Sequence, residues 1–579
     1  MSAAIAALVS AARRAAVPGY ALGLVIAVTA PLLAPGYLLL RDAVSTPRSY
    51  LSDDALGLSE SAPRALPQDF AVAVFSHVVD GGLVVKTFLI GGLWLAGWGA
   101  ARLSALVVPD AGAGGQYVAA TIAIWNPYVA ERLLQGHWSL LVGYGCLPWV
   151  ATAMLRLRRL GPGDPGRSVH AAGWALVCWI ALAGLTATGL MLAATVALVC
   201  AVVPGRGAPR RVCAALGLGV AVVAALPWLL GSALGESLQT TPAGVVAFAA
   251  RAEPGLGTLG SLAALGGIWN AEAVPGWRTT AFAVVGSVIL WGVVAAGVPT
   301  VWRRPPALAL LLLAAVAVLI PAAMATGPGI GAVEAIVHAL PGFAVVRDGQ
   351  KWVALAMPGY TVAGAGAVAT LRRWMPAPAA AAGLCVALIA VLADLGWGVS
   401  GGVVSVRYPP GWAAVAAAIN ADPRPVAVLP ADVMRRFAWA GPAPVLDPLP
   451  RWVRARVLSS GDLTISGRLV PGEGARARAV QQLLLDGTDP QTLTRAGIGW
   501  IVVESGTSGE TDSAATTLRQ MQVTYRDADL VLYRAGGNYP GAPGLRRAIM
   551  IAVHVGWLAV LVTGAVGAAT AGLRLRRRR

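Results

Sequence analysis

An isolated carboxylate follows the first long apolar run of the chain. Asp42 lies in the segment GYLLLRDAVSTPRSYLSDD (residues 36–54), after an uncharged apolar run at residues 18–40 that is long enough to cross a bilayer. We therefore expect Asp42 within about one helical turn of the lipid boundary. A carboxylate on a connecting loop at that depth could act on the head group of a lipid substrate. The structural alternative is that Asp42 ends a helix or pairs with Arg41.

A second segment, ERLLQGHW (residues 131–138), combines an arginine with a histidine. If the segment is helical, Arg132 and His137 lie about one and a half turns apart. A bend towards the site would bring both within reach of one phosphate group. The alternative is that His137 and Trp138 anchor a helix end at the membrane interface, where aromatic side chains are common.

A third segment, VVRDGQKW (residues 345–352), places Arg347 and Lys351 on either side of Asp348. Arginine offers a planar fork that suits phosphate oxygens, whereas lysine supplies a compact point charge. This segment is therefore a second candidate for phosphate or substrate binding. The alternative is a structural ion pair between Arg347 and Asp348.

The composition indicates a membrane protein. The 579 residues are 57% hydrophobic and 12% charged, and the mean hydropathy is +0.69. The net charge of +17 is explained by arginine in cytoplasmic loops, so we predict no nucleic-acid partner. The five cysteines lie in apolar runs without metal-binding spacing, and we predict neither a disulfide nor a metal site. They are Cys146, Cys178, Cys200, Cys213 and Cys385.

Arginine clusters give the apolar runs one consistent orientation. Lysine and arginine in short loops stay on the cytoplasmic side, and the clusters RLRR, GRGAPRR and RLRRRR fall on alternate loops. We therefore predict a mainly α, polytopic membrane protein of about 12 transmembrane helices with both termini in the cytoplasm. The predicted spans are residues 18–40, 83–108, 116–134, 139–155, two within 169–200, 212–234, 279–301, 307–325, 353–371, 379–399 and 548–573.

This orientation places the acidic and basic residues described above at the outer ends of the spans. Polar side chains at membrane depth are costly and tend to face a cavity. Their convergence on one side predicts a polar site that is open to lipid. The proposed location is the plasma membrane, where the protein would contact membrane lipids.

The composition changes between residues 400 and 547. Charges and prolines appear, and short alternating patches replace the long apolar runs. We predict an extracytoplasmic α+β domain there, between a transmembrane domain (residues 1–399, first outer loop 41–82) and a last helix with a basic cytoplasmic tail (548–579). Predicted helices cover 411–419 and 475–485, predicted strands 425–429 and 500–503, and a predicted hairpin 523–525 with 530–533.

Three segments resemble a known group of proteins. GYLLLRDAVSTPR, NPYVAERLLQGHWSLLVGYGCLPW and PGFAVVRDGQKW are similar to segments of large actinobacterial membrane proteins, including the arabinofuranosyltransferases of mycobacterial cell-wall assembly. The first span ending near an acidic residue and the late outer domain also resemble the GT-C superfamily of membrane glycosyltransferases. The richness in Ala, Arg and Gly fits an actinobacterium of high GC content.

The resemblance implies a function in cell-wall biogenesis. It implies transfer of a sugar from a polyprenyl-phosphate carrier to a cell-envelope glycan or lipid on the outer face of the membrane. It also implies site residues. Asp42 would be the catalytic base, with Asp53 or Asp54 as the alternative carboxylates. The residues Arg132, His137, Arg347, Asp348 and Lys351 would bind phosphate or substrate.

The sequence leaves cofactors and the role of the outer domain open. No cofactor is implied, and a requirement for a divalent cation is undecided. The outer domain would bind the acceptor through exposed tryptophans such as Trp412, Trp439 and Trp452, or these side chains fill a small core.

Two other functions are compatible with the sequence. A transporter or flippase for a lipid-linked sugar would need a polar path at the membrane midplane, yet the charges here cluster at the outer ends of spans. A non-catalytic assembly protein would tolerate loss of Asp42 and fail without its outer domain. The chain contains no P-loop, nicotinamide fingerprint or HExxH motif, so nucleotide-driven pumping and metalloprotease chemistry are unsupported.

Overall fold

The computed structural model describes residues 2–60, 65–159, 167–235, 244–340, 343–465, 467–507, 509, 511 and 513–576. Its helices are α1 (Ser2–Thr29), α2 (Gln68–Phe75), α3 (Gly81–Val107), α4 (Gly112–Ile124), α5 (Pro127–Leu134), α6 (Trp138–Leu157), α7 (Arg167–Ala183), α8 (Ala187–Ala201), α9 (Arg210–Leu234), α10 (Gly257–Ala263), α11 (Phe282–Val301), α12 (Pro305–Met324), α13 (Gly327–Ala339), α14 (Met357–Leu371), α15 (Ala377–Ala390), α16 (Gly396–Gly401), α17 (Pro410–Ala421), α18 (Leu449–Trp452), α19 (Ala475–Leu485), α20 (Pro490–Arg495), α21 (Ala514–Leu518) and α22 (Gly544–Arg576).

Short strands occur near the first helix and in the last third of the chain. They are β1 (Tyr37–Leu40), β2 (Ala43–Val44), β3 (Ser405–Val406), β4 (Val426–Leu429), β5 (Met434–Arg435), β6 (Val445–Leu446), β7 (Leu463–Ile465), β8 (Arg468–Val470), β9 (Trp500–Glu504), β10 (Gln522–Arg526) and β11 (Leu530–Arg534). A 3-10 helix, Gly349–Ala356, precedes α14.

The structure is that of a multi-pass membrane protein. Among the described residues, eight helices are long and apolar enough to span a membrane, or nine if the bent pair Ala377–Ala390 and Ala393–Gly401 is one span. The apolar helices Val169–Ala183 and Ala187–Ala201 are shorter. The predicted span at 116–134 consists of the two helices α4 and α5. The total of about 12 spans and their orientation stay predictions.

The first span ends earlier than predicted. The apolar helical stretch covers Ala15–Leu33, and Tyr37–Leu40 is a strand, although a span at 18–40 was expected. Pro35 and Gly36 explain the change, because proline has no amide hydrogen to donate within a helix and Gly36 adopts the non-helical φ of 127°. Asp42 therefore follows a strand and not the first span directly, and its distance from the lipid boundary stays a prediction.

The long helices pack into one apolar core. Helix α3 contacts α1, α4 and α6, α14 packs against α11, α12 and α4, and α22 packs against α7 and α9. The apolar side chains of these helices form a continuous buried cluster. The last helix of the chain thus joins a core that the first helices begin.

Residues 405–534 form a sheet-containing region, which we call the C-terminal domain. Its four-stranded sheet has the order β10-β11-β9-β4, with β4 parallel to β9 and the other pairs antiparallel. Side chains alternate between two cores: Val426 and Val428 face the α17 side, whereas Ala427 and Leu429 face the α19 side. The predicted helices, strands and hairpin of this region are confirmed within one or two residues.

The tryptophans of this domain belong to its core. Trp412 and Trp452 are buried and stack with ring centroids 6.4 Å apart, and Trp439 packs against Trp412. The structure therefore favours the core alternative over an exposed glycan-binding surface at these positions.

Candidate functional site

Asp42 lies in a two-residue turn between β1 and β2. Leu40 pairs with Ala43 across the turn, and Arg41 adopts a left-handed conformation with φ 48°. The amide of Asp42 donates a hydrogen bond to the carbonyl of Gln135 at 3.2 Å. The turn therefore sits directly against the segment that joins α5 to α6.

A sequence break creates that segment. Asn126 caps α5 by accepting a hydrogen bond from the amide of Val129 at 3.1 Å, and Pro127 occupies the first helical position. Asn126 has extended backbone angles (φ −152°, ψ 161°), so the helix is interrupted between α4 and α5. As a result, the polar residues at the end of α5 point towards the Asp42 turn.

Two side chains from the α5–α6 connection bind the Asp42 carboxylate. Its Oδ2 accepts hydrogen bonds from His137 Nε2 at 2.9 Å and from Gln135 Nε2 at 3.1 Å. The other ring nitrogen of His137, Nδ1, lies 3.0 Å from the NH1 group of Arg132. Because a guanidinium can only donate, Nδ1 must accept, so the proton of the neutral ring is on Nε2 and is donated to Asp42.

The guanidinium of Arg132 also binds two other side chains, Asp348 and Gln350. It donates to both carboxylate oxygens of Asp348, at 2.9 and 3.1 Å, and to Oε1 of Gln350. The amide of Gln350 then donates to Glu131 Oε2 at 2.9 Å. Glu131 also accepts from two backbone amides of a neighbouring loop, those of Gly267 and Ile268, at 3.1 and 3.2 Å. The result is a continuous row of hydrogen bonds from Glu131 to Asp42.

Exposure increases along this row towards Asp42. The side chains of Arg132 and Asp348 are 0% and 5% exposed, that of His137 is 17% exposed, and that of Asp42 is 38% exposed. Lys351, whose Nζ is 3.6 Å from Asp348 Oδ2, is 24% exposed. Asp42 is thus the accessible end of a buried polar row, which we call the Asp42 relay (Asp42, His137, Arg132, Asp348).

The electrostatics keep Asp42 ionised and His137 neutral. Burial alone would raise the pKa of Asp42, but the hydrogen bond from His137 and the charge of Lys351 lower it below its ordinary value. Burial lowers the pKa of His137, and the Asp42 hydrogen bond offsets only part of this effect. Burial opposes ionisation of Asp348 as well, yet the Arg132 charge holds the pKa of Asp348 well below its usual range.

The other two candidate carboxylates have different surroundings. Asp53 pairs with Arg547 and accepts from the amide of Ala542 at 2.9 Å, so it connects the first loop to the start of α22. Asp54 is partly buried, which raises its pKa, and its buried Oδ2 has no hydrogen-bond partner in the described part of the chain. Among the contacts of the described residues, none links either carboxylate to Asp42.

The residues predicted to bind phosphate also differ in their surroundings. Arg132 is fully buried against Asp348 and therefore faces protein instead of an open cleft. The guanidinium of Arg347 lies 4.3 Å from the ring centroid of Phe248. Lys351 is the partly exposed cation that the site brings next to Asp42 and Asp348.

The sequence did not indicate two amide side chains and one loop that contact the candidate site. Gln135 and Gln350 lie inside the segments that were singled out, but nothing in a single sequence marks an amide as a partner of a carboxylate. The loop at 251–279 supplies Gly267 and Ile268, and its Asn270 donates to Gln135 Oε1 at 2.8 Å. It also lines a cavity of about 430 Å³. In the described part of the chain, no group of three or more His, Cys, Asp or Glu side chains is arranged to hold a metal ion.

No protein-family model and no curated protein sequence matches the chain. Solved structures match it by fold. The cryo-EM structure of the arabinofuranosyltransferase AftD from Mycobacteria aligns with a TM-score of 0.60 at 17% identity, over 90% of this chain and 40% of AftD. A mutant of AftD aligns with a TM-score of 0.56 at 17% identity, over 90% and 41%. The oligosaccharyltransferase of Archaeoglobus fulgidus aligns with a TM-score of only 0.39 at 14% identity, over 84% and 68%, which is too low to carry an argument.

The similarity to AftD is one of fold. It extends over most of this chain, which spans about 40% of the AftD structure. The resemblance to mycobacterial arabinofuranosyltransferases that the three sequence segments indicate is therefore confirmed at the level of the fold.

Proposed function

We propose that the protein is a membrane glycosyltransferase in which Asp42 is the general base. It would transfer a sugar from a polyprenyl-phosphate carrier to a hydroxyl group of a cell-envelope glycan or lipid, on the outer face of the plasma membrane. The name of AftD, an arabinofuranosyltransferase, and the shared fold support this class of reaction. The observation that carries the proposal is the half-exposed Asp42 at the end of the buried relay.

The relay suits a carboxylate that must accept a proton. His137 and Gln135 both donate to one oxygen, Oδ2, so the two hydrogen bonds fix the carboxylate while Oδ1 has no partner among the described residues. Its lowered pKa keeps Asp42 ionised at neutral pH, as a general base must be. Neutral His137 orients Asp42 and does not compete for the proton.

The other half of the reaction is departure of a phosphate. A sugar on a polyprenyl phosphate already carries a good leaving group, so the enzyme must deprotonate the acceptor and stabilise the negative charge that leaves. Lys351 is partly exposed and fixed by Asp348, and we assign it to the departing phosphate. Arg132 would contribute through its charge and by holding Asp348 and His137 in place.

The direct test is transfer by the Asp42→Asn variant. Wild-type protein and variant are purified in lipid nanodiscs and supplied with radiolabelled polyprenyl-phosphate sugars and cell-envelope acceptors. The amide can still accept from His137 but cannot take a proton, so we expect the rate to fall by roughly a hundredfold or more. Asp486→Asn is the matched control, because this exposed carboxylate binds Gln482 on the surface of α19.

Two results would contradict the proposal. Transfer by Asp42→Asn at the wild-type rate would remove Asp42 from the chemistry. If wild-type protein transfers nothing from any donor, while both versions restore growth or envelope composition in a deletion strain, the chain is a non-catalytic assembly protein.

A further inference from the structure

The Asp42 turn is held on its second side by the C-terminal domain. The amide of Arg41 donates to the carbonyl of Pro444 at 2.8 Å, and the amide of Leu446 donates to the carbonyl of Arg41 at 3.0 Å. Arg41 thus forms a parallel bridge with Val445 of strand β6, more than four hundred residues later in the chain. The backbone of Arg41, the residue before Asp42, is therefore paired with the two-stranded sheet β5–β6.

Apolar packing supports the same junction. Leu39 and Val44, on the two strands that flank the turn, form a buried cluster with Val445. The side chain of Arg41 adds two hydrogen bonds, to the carbonyls of Leu134 at 2.6 Å and Glu272 at 2.8 Å. The residue before Asp42 therefore connects three segments that are distant in sequence.

The C-terminal domain fixes the hairpin β5–β6 from within. Arg435 on β5 pairs with Glu504 at the end of β9 and donates to the carbonyl of Asp432, and Arg435 and Glu504 are each 2% exposed. Strand β6 pairs with β5 through Arg435 and Val445. The buried hydrogen bond between Arg435 and Glu504 thus sets the position of the strand that contacts Arg41.

We infer that the β5–β6 hairpin is a positioning element for Asp42. It holds the Arg41 backbone in its left-handed conformation, which is unfavourable for a residue other than glycine, and so fixes the distance between Asp42 and His137. The C-terminal domain is then part of the catalytic apparatus, in addition to any role in binding acceptor. The kinetic part of this inference rests on the proposed transferase function; the structural part does not.

The test removes one backbone donor. Leu446→Pro deletes the amide that donates to the Arg41 carbonyl. Proline is tolerated on an edge strand at a position whose amide is not needed for pairing within the sheet. Leu469→Pro is the matched control, because Leu469 is exposed and lies in β8 of another two-stranded sheet in the same domain. Both variants are made in the full chain and purified in nanodiscs.

The first measurement is hydrogen exchange of a peptide covering residues 37–44. We expect exchange there to accelerate roughly tenfold or more in Leu446→Pro, and to stay at the wild-type rate in Leu469→Pro. This measurement does not depend on activity. If exchange of residues 37–44 is unchanged in Leu446→Pro, the hairpin does not hold the turn and the inference is overturned.

The second measurement is sugar transfer. Leu446→Pro is expected to lower kcat roughly tenfold or more with KM for the donor within about twofold, since misplacing a catalytic group affects the chemical step. The acidic limb of the kcat–pH profile is expected to move to higher pH, because a looser hydrogen bond from His137 no longer lowers the pKa of Asp42. A merely structural loss would reduce the amount of active enzyme without moving the profile.

The outcomes separate this inference from the proposed function. Faster exchange with unchanged kcat and pH profile overturns the positioning role. Faster exchange in a protein whose wild type transfers no sugar supports the structural link and contradicts the transferase proposal. Should Leu446→Pro fail to fold, Val445→Ala replaces it: the smaller side chain weakens the contact with Leu39 and Val44, and the same two measurements decide.

Discussion

At the scale of single residues, the identity of the proton donor to Asp42 determines what the site can do. Arg132 can only donate, so it forces His137 to present Nε2–H to Asp42. Asp348, the partner of Arg132, therefore controls the tautomer of His137 from a distance of two hydrogen bonds. Three charged or polar groups act together to leave one half-exposed carboxylate.

His137→Ala tests this arrangement directly. Loss of the hydrogen bond to Oδ2 is expected to raise the pKa of Asp42 towards or above its ordinary value, because burial then acts with less opposition. The acidic limb of the kcat–pH profile should move to higher pH, and kcat at neutral pH should fall roughly tenfold or more. His338→Ala, at an exposed position on α13, is the control. An unchanged profile would show that His137 does not bind Asp42 during catalysis.

At the scale of elements, the site depends on a close approach between the β1–β2 turn and the α5–α6 connection. Gly136 adopts φ 81°, and a Cβ atom on it would lie 2.4 Å from both the Ala43 nitrogen and the Leu40 oxygen. No side chain fits between the two segments. The glycine in the motif QGHW is thus required by this contact as well as by its backbone conformation.

Gly136→Ala separates these two requirements when it is compared with Gly112→Ala. Gly112 also has positive φ (60°), but nothing lies within 4 Å of a Cβ atom there. Each substitution should cost about 1 to 3 kcal/mol for the backbone conformation. Gly136→Ala should in addition push the turn away from the connection and reduce transfer roughly tenfold or more. Thermal unfolding and initial rates of transfer are measured for both variants; equal effects would contradict the close-approach argument.

At the scale of the whole molecule, distant parts of the chain meet around the first loop. Strand β1 pairs with β2 and with β3 of the C-terminal domain, and Asp53 ties the loop to Arg547 at the start of α22. The domain, the last helix and the Asp42 turn therefore form one connected structure. The stability of the C-terminal domain is consequently relevant to the site.

The carboxylates of Asp447 and Glu504 interact with the guanidinium of Arg435, and this arrangement predicts how the stability of the C-terminal domain depends on pH. Burial, together with the charge of Asp447, raises the pKa of Glu504 from its ordinary 4.5 to about 8, against the opposing charge of Arg435. A raised carboxyl pKa means that the folded domain binds a proton that the unfolded chain has released. The stabilisation that this bound proton gives the folded domain is complete below about pH 4.5 and is lost as the pH rises through about 8.

The unfolding temperature of the wild-type protein should therefore decrease as the pH rises through this interval. Glu504→Gln keeps an acceptor for Arg435 without a titrating group, so its unfolding temperature should depend less steeply on pH. Differential scanning calorimetry of the two proteins in one detergent measures the difference between their slopes. Parallel slopes would show that Glu504 does not bind the extra proton.

Local patterns in the sequence predict a large part of the fold. The helix Ala475–Leu485 and the hairpin β10–β11 are found where apolar spacing and turn residues predict them, since these patterns act over a few residues. The same is true of the break at Asn126-Pro127, whose cap is formed within three residues. The sequence segments around Asp42, His137 and Asp348 also indicate the resemblance that the fold shared with AftD confirms.

The sequence by itself determined that the chain is a multi-pass membrane protein, which region contains the four-stranded sheet, and which three short segments carry the polar residues of the candidate site. Only the tertiary structure decided how those residues are used. Arg132 binds Asp348 across 216 residues of sequence, and Arg41 pairs with a strand four hundred residues later. Periodicity and capping are properties of neighbouring residues, whereas these contacts exist only because the helices and the C-terminal domain pack in one particular arrangement.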